Sequence, residues 1–245
     1  MLNPIFENTY KIRYSELDCN LSLKPSSLLQ LLQDIASEDA QNKDFGYSFL
    51  ASKNLGWFLL KYHIEFNDIP KGICDIKIQT ESRGYNKLFA FRDFEVYSNN
   101  ISIARATTTW GLIDLKTKSM GNIVEILSDN ENISHFEKRE DDLKYNKIAS
   151  IQETTNKKEF AVRFDDLDVN QHVNNSNYIL WALEALNFDF RKNKTLKTLD
   201  IVFKKEAKYS DTISSEVQVI DNTTIHVIKN QKTNEDLCLI QASWE

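Results

Sequence analysis

The sequence predicts an α+β fold built from two copies of one unit, each a long helix wrapped by a curved antiparallel β-sheet. Three observations predict it. Arg13-Tyr14-Ser15-Glu16-Leu17-Asp18-Cys19-Asn20 reappears as Arg163-Phe164-Asp165-Asp166-Leu167-Asp168-Val169-Asn170, at a constant offset of 150 positions and without a gap. A match that runs ungapped through a polar turn indicates internal duplication. Each copy then leads into an apolar helical run, Leu28-Leu29-Gln30-Leu31-Leu32 in the first and Tyr178-Ile179-Leu180-Trp181-Ala182 in the second. Several runs of strand-like alternation follow each helix, as an antiparallel meander requires.

The elements follow in order. Thr9 to Tyr14 alternates and reads as a strand. A helix starts near Pro25, because proline is tolerated in a first turn. Its leucines occupy more than one stripe, so it is buried on several sides, and Gly46 helps to end the helical region. Strands are expected over 56–66, 73–81, 87–98 and 101–114, with Asn99-Asn100 as a tight turn. From Lys116 to Lys157 the pattern dissolves into loops and the mixed charge run Glu137-Lys138-Arg139-Glu140-Asp141-Asp142, read as a solvated connector with room for a short helix. The second unit repeats the order: a strand ending at Arg163, a helix over 176–187, and strands over 198–207, 212–220, 224–229 and 237–244, with Asp221-Asn222 as a hairpin turn. The chain therefore divides into a first unit over 1–115, a connector over 116–157 and a second unit over 158–245.

Composition narrows the function. A chain of 245 residues with 41% hydrophobic content can build a sizeable core, and no run of about 20 apolar residues suggests a membrane span. Met1 to Glu7 lacks the basic-then-apolar pattern of a signal peptide. Cys19, Cys74 and Cys238 have no metal-ligand spacing and read as free thiols of a reducing, cytoplasmic compartment. A net charge of −6 argues against general nucleic-acid binding, and an acidic partner would need a local basic patch.

The chemistry concentrates in Asp168, Asn170 and His172. If the backbone there is extended, alternate side chains point to one side, and an acid, an amide and a proton carrier converge. Imidazole titrates near neutral pH and can carry protons. The start of the following helix offers free N–H groups to a developing oxyanion. Asn174, Asn175 and Ser176 read as helix caps. Asp165 and Asp166 read as turn or solvent-facing residues, and Tyr178 and Trp181 as core. His63, His135 and His226 have no partners in sequence and read as structural or surface residues.

Asp-x-Asn-x-His-Val-Asn-Asn before a buried helix, together with Lys205-Glu206-Ala207-Lys208-Tyr209-Ser210-Asp211, resembles the acyl-acyl-carrier-protein thioesterases, plant and bacterial enzymes that release fatty acids during synthesis. The likeness covers nearly the whole chain. It implies a double hotdog fold, thioester hydrolysis without a cofactor or metal, and a catalytic set of Asp168, Asn170, His172 and Glu206. It also implies an acidic acyl carrier protein as acyl donor. Lys204, Lys205 and Lys208, or Arg191, Lys192 and Lys194, are either docking charges for that carrier or ordinary solvated faces. Neither nucleic acid nor membrane is an implied partner, and both monomer and homodimer fit. An acyl-CoA thioesterase and a non-catalytic acyl-thioester-binding module are the rival readings.

Plant members carry a cysteine directly after the glutamate, where this chain has Ala207. A cysteine-acyl intermediate is then not obligatory, which favours hydrolysis through Asp168 and Glu206, with His172 and Asn170 positioning substrate or water. In the first copy the position of His172 is taken by Ser22, while Asp18 and Asn20 persist. One active site is expected, in the second half. The first half would shape the acyl pocket, with Leu28, Leu31, Leu32, Trp57 and Phe58 as lining or as core.

Overall fold

The computed structural model describes residues 5–245, so most of the stretch Met1–Glu7, read as lacking a signal-peptide pattern, lies outside the described residues. The first half runs β1 (Phe6–Lys11), α1 (Pro25–Asn42), α2 (Tyr47–Lys53), β2 (Leu55–Phe66), β3 (Asp75–Tyr85), β4 (Phe89–Ser98) and β5 (Ile101–Asp114). A one-turn helix α3 (Ile123–Ile126) interrupts the connector. The second half runs β6 (Asn156–Ala161), α4 (Asn175–Glu184), α5 (Phe188–Asn193), β7 (Leu196–Phe203), β8 (Thr212–Ile220), β9 (Thr223–Asn230) and β10 (Asp236–Trp244).

All ten strands form one antiparallel sheet in the order β1-β3-β4-β5-β2-β7-β10-β9-β8-β6. Five strands of each half lie on either side of the β2–β7 junction, where Lys61 to Glu65 pair with Val202 to Thr198. The helices α1 and α4 pack against each other, α1 over β1 and β3 and α4 over β8 and β9. This is the expected double hotdog. Leu29, Leu32 and Ile35 of α1, Ile179 and Ala182 of α4, and Ala185 just after it are fully buried. Helix α1 buries one broad face, with Gln30, Asp34, Ser37 and Glu38 exposed opposite, rather than several sides as expected from its leucines.

Local chemistry accounts for the element ends. Pro25 occupies the first turn of α1, where its missing N–H costs nothing. Asn99 and Asn100 both adopt positive φ, the two-residue turn that matches strand twist. Several boundaries differ from expectation. The first strand ends at Lys11, because Tyr14–Glu16 forms a 3₁₀ turn closed by Glu16 on the Arg13 N–H. Gly46 does not end a helix but precedes α2, a helix absent from the sequence reading. The expected helix over 176–187 breaks after Glu184, and Asn187 caps the separate α5 by accepting from the Asp189 N–H. The strand expected to reach Ala207 stops at Phe203, so Glu206 lies on a loop.

Most of the connector's charged run is exposed, as a solvated connector requires, but Arg139 and Asp142 turn inward. The connector crosses the outer face of the sheet, and its charges meet charges projecting from the strands. Arg139 makes two bonds to Glu81 on β3, at 2.6 and 2.8 Å. Arg83 bonds both Asp93 and the connector's Asp142. Tyr145 bonds Thr109 on β5 at 2.8 Å, Asn146 bonds Asp200 on β7 at 3.0 Å, and the Ala149 N–H bonds Gln241 on β10 at 3.0 Å. The mixed run is polar because it lies on a polar surface, a partner that no local pattern reveals. Gly84 (φ +93°) lets the strap approach, since a Cβ there would sit 2.5 Å from the Ser134 carbonyl oxygen.

Candidate active site

The segment Arg163 to Val173 is not extended. Phe164–Asp166 forms a 3₁₀ turn, the first of the two readings given to Asp165 and Asp166, and Asp166 is buried rather than solvent-facing. Its carboxylate accepts from the Arg163 backbone N–H at 2.8 Å and from the guanidinium at 2.7 Å. Asp168 then folds the chain back on itself. Its N–H donates to the His172 carbonyl at 2.7 Å, and its Oδ1 accepts from the N–H groups of Asn170 (2.8 Å) and His172 (3.1 Å). Gln171 takes a positive φ of 64° to complete the reversal. Tight turning, not strand alternation, therefore brings Asp168 and His172 together, and Asn170 stands exposed at the tip.

Helix α4 begins directly afterwards. Asn174 caps it, accepting from the Ser176 N–H at 2.9 Å. Two glutamines of α1 meet this first turn: Gln30 donates to the Ser176 hydroxyl at 3.1 Å, and Gln33 accepts from Asn175 at 3.5 Å.

Glu206 reaches the site from the other side. The loop after β7 is held by the Ala207 N–H, which donates to the Tyr178 hydroxyl of α4 at 2.8 Å. Ala207 also accepts from the Val173 N–H at 3.4 Å. These bonds fix Glu206 so that its Oε1 lies 3.0 Å from Nδ1 of the half-buried His172. The hydrogen bond to Glu206 raises the imidazole pKa above 6.5, against the opposing effects of burial and of Lys118. Ala207 itself is fully buried, so the position that carries cysteine in plant sequences faces packed core here.

The first half contributes to the same place. Beyond the Lys61–Val202 pair, β2 and β7 diverge, leaving the β7-facing edge of Leu55 to Leu60 without a strand partner. Phe58 on this stretch lies 6.0 Å from the His172 ring, centroid to centroid. Its neighbour Trp57 faces the other side of β2, where it lines a separate cleft of about 470 Å³, measured out to open solvent, between α1 and strands β2, β4 and β5. Ala36, Ala40, Phe45, Ala90 and Arg92 form much of its remaining wall. Of the five residues named as pocket lining, Trp57 borders the cleft and Phe58 borders His172; Leu28 and Leu32 belong to the main core and Leu31 packs against it. Sequence patterns carry no sign of Gln33 beside the first turn of α4 or of Lys118 acting on His172, because each reaches its place from a distant element.

The repeat shows what the first half lacks. Its turn is the same: the Asp18 Oδ1 accepts from the Asn20 and Ser22 N–H groups at 2.8 and 2.9 Å, and Leu21 takes the positive φ. The Leu23 N–H donates to the Pro70 carbonyl as the Val173 N–H does to Ala207, and Ile12 donates to Cys74 as Val162 does to Asp211. This register sets Ile69 opposite Glu206. The first copy thus has neither imidazole nor carboxylate at these places, and its Asn20 donates to the Lys192 carbonyl of α5 at 2.9 Å. Because Asp18 keeps the turn where no imidazole exists, turn formation explains this aspartate in both copies.

The other polar candidates sort as follows. Lys204 pairs with Asp236, Lys205 with Glu235 and Arg191 with Glu184. His63 is not partnerless but bonds Asp200 at 2.7 Å, His226 bonds Thr224 at 2.9 Å, and His135 packs on Tyr85. Tyr178 and Trp181 are core, as expected. Among the described residues, no group of three or more His, Cys, Asp or Glu side chains could hold a metal ion, and no helix is long and apolar enough to cross a membrane.

Comparison with known proteins gives a consistent result. The family model described as Acyl-ACP thioesterase N-terminal domain matches residues 3–129, and that of the C-terminal domain matches residues 149–245. An oleoyl-acyl carrier protein thioesterase of Coriandrum sativum, named as chloroplastic, is 23% identical over 86% of this chain and 61% of its own length. A palmitoyl-acyl carrier protein thioesterase of Cuphea hookeriana, also chloroplastic, is 25% identical over 86% of this chain and 54% of its own. The chain thus spans little more than half the length of such relatives. The fold is shared with a putative oleoyl thioesterase from Lactobacillus plantarum, at TM-score 0.89 and 23% identity, covering 99% of this chain and 96% of that one. It is shared too with a 12:0-ACP thioesterase from Umbellularia californica, at TM-score 0.85 and 17% identity over 98% and 97% of the chains.

Proposed function

Since this chain belongs to the acyl-acyl-carrier-protein thioesterase family, we propose that it hydrolyses the thioester of fatty acyl-acyl carrier protein to free fatty acid and holo carrier protein, in fatty acid biosynthesis. The observation that carries this reading is the 3.0 Å contact of His172 Nδ1 with Glu206, next to the start of the buried helix α4. With Nδ1–H donated to Glu206, the neutral imidazole leaves Nε2 as an acceptor. Nε2 takes a proton from water as the water oxygen bonds to the thioester carbonyl carbon. Glu206 stabilises the imidazolium, as a carboxylate behind histidine does in hydrolytic triads. The tetrahedral oxyanion then collapses, the C–S bond breaks, and the thiolate leaves and takes up the proton. Asp168 shapes the turn and adds negative charge near His172, and exposed Asn170 meets the substrate. No thiol is needed at Ala207.

The division of labour follows from the same contacts. Residues 158–245 supply the reacting groups, 1–115 the wall with Phe58, and 116–157 the strap between them. Because both halves meet at the site within one chain, a second copy is not required for it. Three free cysteines support a reducing, cytoplasmic setting. The test is release of free fatty acid from acyl-acyl carrier protein and from the matching acyl-CoA. Faster turnover of the carrier-protein substrate, abolished in His172→Ala, supports the reading. Preference for CoA, or binding without release of acid, overturns it.

A further inference from the structure

Strands β2 and β7 pair from Glu65–Thr198 to Lys61–Val202 and then splay apart. Continued past the split, their register sets Trp57 opposite Glu206 and Leu59 opposite Lys204. The split is therefore a wedge, with β2 as one edge and the loop that carries Glu206 as the other. The β2 edge is defined by the strand on its far side. The Leu112 carbonyl and the Asp114 N–H bond the 119–121 segment, so the peptide groups of Ile113 turn to Gly56, its register partner on β2. The Leu115 N–H bonds the Asn54 carbonyl in the same way. Peptide groups alternate sides along a strand. Leu55, Trp57 and Leu59 therefore direct theirs into the wedge, and among the described residues none meets a partner. Leu55 and Leu59 are buried, where unpaired peptide groups are rare and costly. The edge also reaches the reacting groups, since Phe58 lies 6.0 Å from the His172 ring.

We propose that this free edge of β2 binds the pantetheine arm of the thioester substrate as an added strand. This rests on the function proposed above and names the part of the substrate that the site grips. Acyl carrier protein and CoA share the arm, an uncharged chain with two secondary amides, each offering an N–H and a C=O. Main-chain bonds to an exposed strand edge supply affinity for such an extended ligand. The spacing agrees. From the sulfur, the first amide lies about 4 Å and the second about 9 Å along an extended arm. From Phe58, Trp57 lies about 3 Å and Leu55 about 10 Å along the strand. An arm with its sulfur beside His172 thus brings one amide to each residue. The wedge lies inside the sheet and not at its borders, β1 and β6, so it suits a thin arm better than the strand of another chain.

The experiment uses one acyl group on carrier protein and on CoA, each with the natural arm and with an arm in which an ester oxygen replaces the N–H of the amide nearer sulfur. The parent should lose about tenfold in kcat/KM on the oxygen arm with either carrier, as a site built to bond that N–H requires. Exchanging Trp57 for its α-hydroxy acid removes the N–H at the edge and keeps the indole. On the natural arm it should lower kcat/KM by about fivefold, equally for carrier protein and CoA. If that protein does not fold, the same exchange at Leu55 takes its place. Equal rates on the two arms, unchanged rates in the folded variant, or a loss confined to the carrier-protein thioester overturns the added strand and leaves the thioesterase reading intact. Hydrolysis of neither natural thioester overturns both.

Discussion

His172 sits on the turn before α4 and Glu206 on the loop after β7, yet Nδ1 and Oε1 lie 3.0 Å apart. The bond is held from three directions: by the Asp168 turn, by Tyr178 through Ala207, and by Val173 on Ala207. A pair anchored in this way should act as a unit. His172→Ala and Glu206→Gln are each expected to lower kcat on acyl-acyl carrier protein by about 10²–10⁴-fold, with little change in KM. The double variant should cost hardly more than either single one. Steady-state kinetics on the three proteins is the check, and fully multiplicative losses would contradict a shared role.

The pH profile carries a definite sign. The bond to Glu206 raises the His172 pKa above 6.5. If the neutral ring accepts the proton, kcat/KM climbs with pH through that raised value. Glu206→Gln should move the limb to lower pH while lowering the plateau, and NMR titration of the imidazole should show the same shift. The linked stability has the opposite trend. A raised histidine pKa stabilises the fold fully below 6.5 and ceases to do so as pH rises through the folded value.

Tyr178→Phe probes the anchor without touching the reacting atoms. It strands the buried Ala207 N–H, for a loss of about 1–3 kcal/mol in stability. Because Glu206 precedes Ala207, the His172 titration should also move toward its ordinary value. Loss of stability with an unmoved titration would mean that Glu206 is positioned independently of Tyr178.

Ala207→Cys tests the need for a thiol. The side chain there is fully buried. Activity within about threefold of the parent is expected, since a buried cysteine behaves as a small apolar residue. Iodoacetamide should neither label the new thiol in the folded protein nor reduce its turnover.

The junction of the two halves contains a second histidine–carboxylate pair. Burial disfavours charge on His63, but its bonds to Asp200 and Glu65 outweigh this and raise its pKa. Burial likewise opposes charge on Asp200, and His63 and Asn146 bring its pKa below 3.8. Their joint contribution is greatest between the two ordinary values, declining in acid as Asp200 protonates and in base as His63 discharges. Asp200→Asn should therefore destabilise by about 2–4 kcal/mol, more at pH 6 than at pH 8.5. Urea unfolding at the two pH values decides it.

The sequence made the duplication, the strand count and the polar turn legible, because a repeat, a period of two and a run of hydrogen-bonding residues are local patterns. It did not disclose how Asp168 and His172 converge: a 3₁₀ turn and a positive φ at Gln171 do the work assigned to strand alternation. Glu206 was recognised from its neighbours, but the end of β7 at Phe203 was hidden, because the split from β2 depends on a strand far away in the chain. The buried ion pair of Arg92 on β4 with Asp39 of α1 was equally invisible. An arginine among alternating strand residues looks solvent-facing until the opposing helix supplies its aspartate.

The polar strap from Arg139 to Gln152 meets β3, β5, β7, β10 and β8 in the same sequence as they stand in the sheet. A linker laid across its own fold like a belt leaves no slack for two molecules to trade halves. Duplication followed by such a tether makes the partnership permanent, and a permanent partner no longer needs a working site of its own. Ser22 and Ile69 stand at the places equivalent to His172 and Glu206, so a single imidazole–carboxylate pair serves both halves.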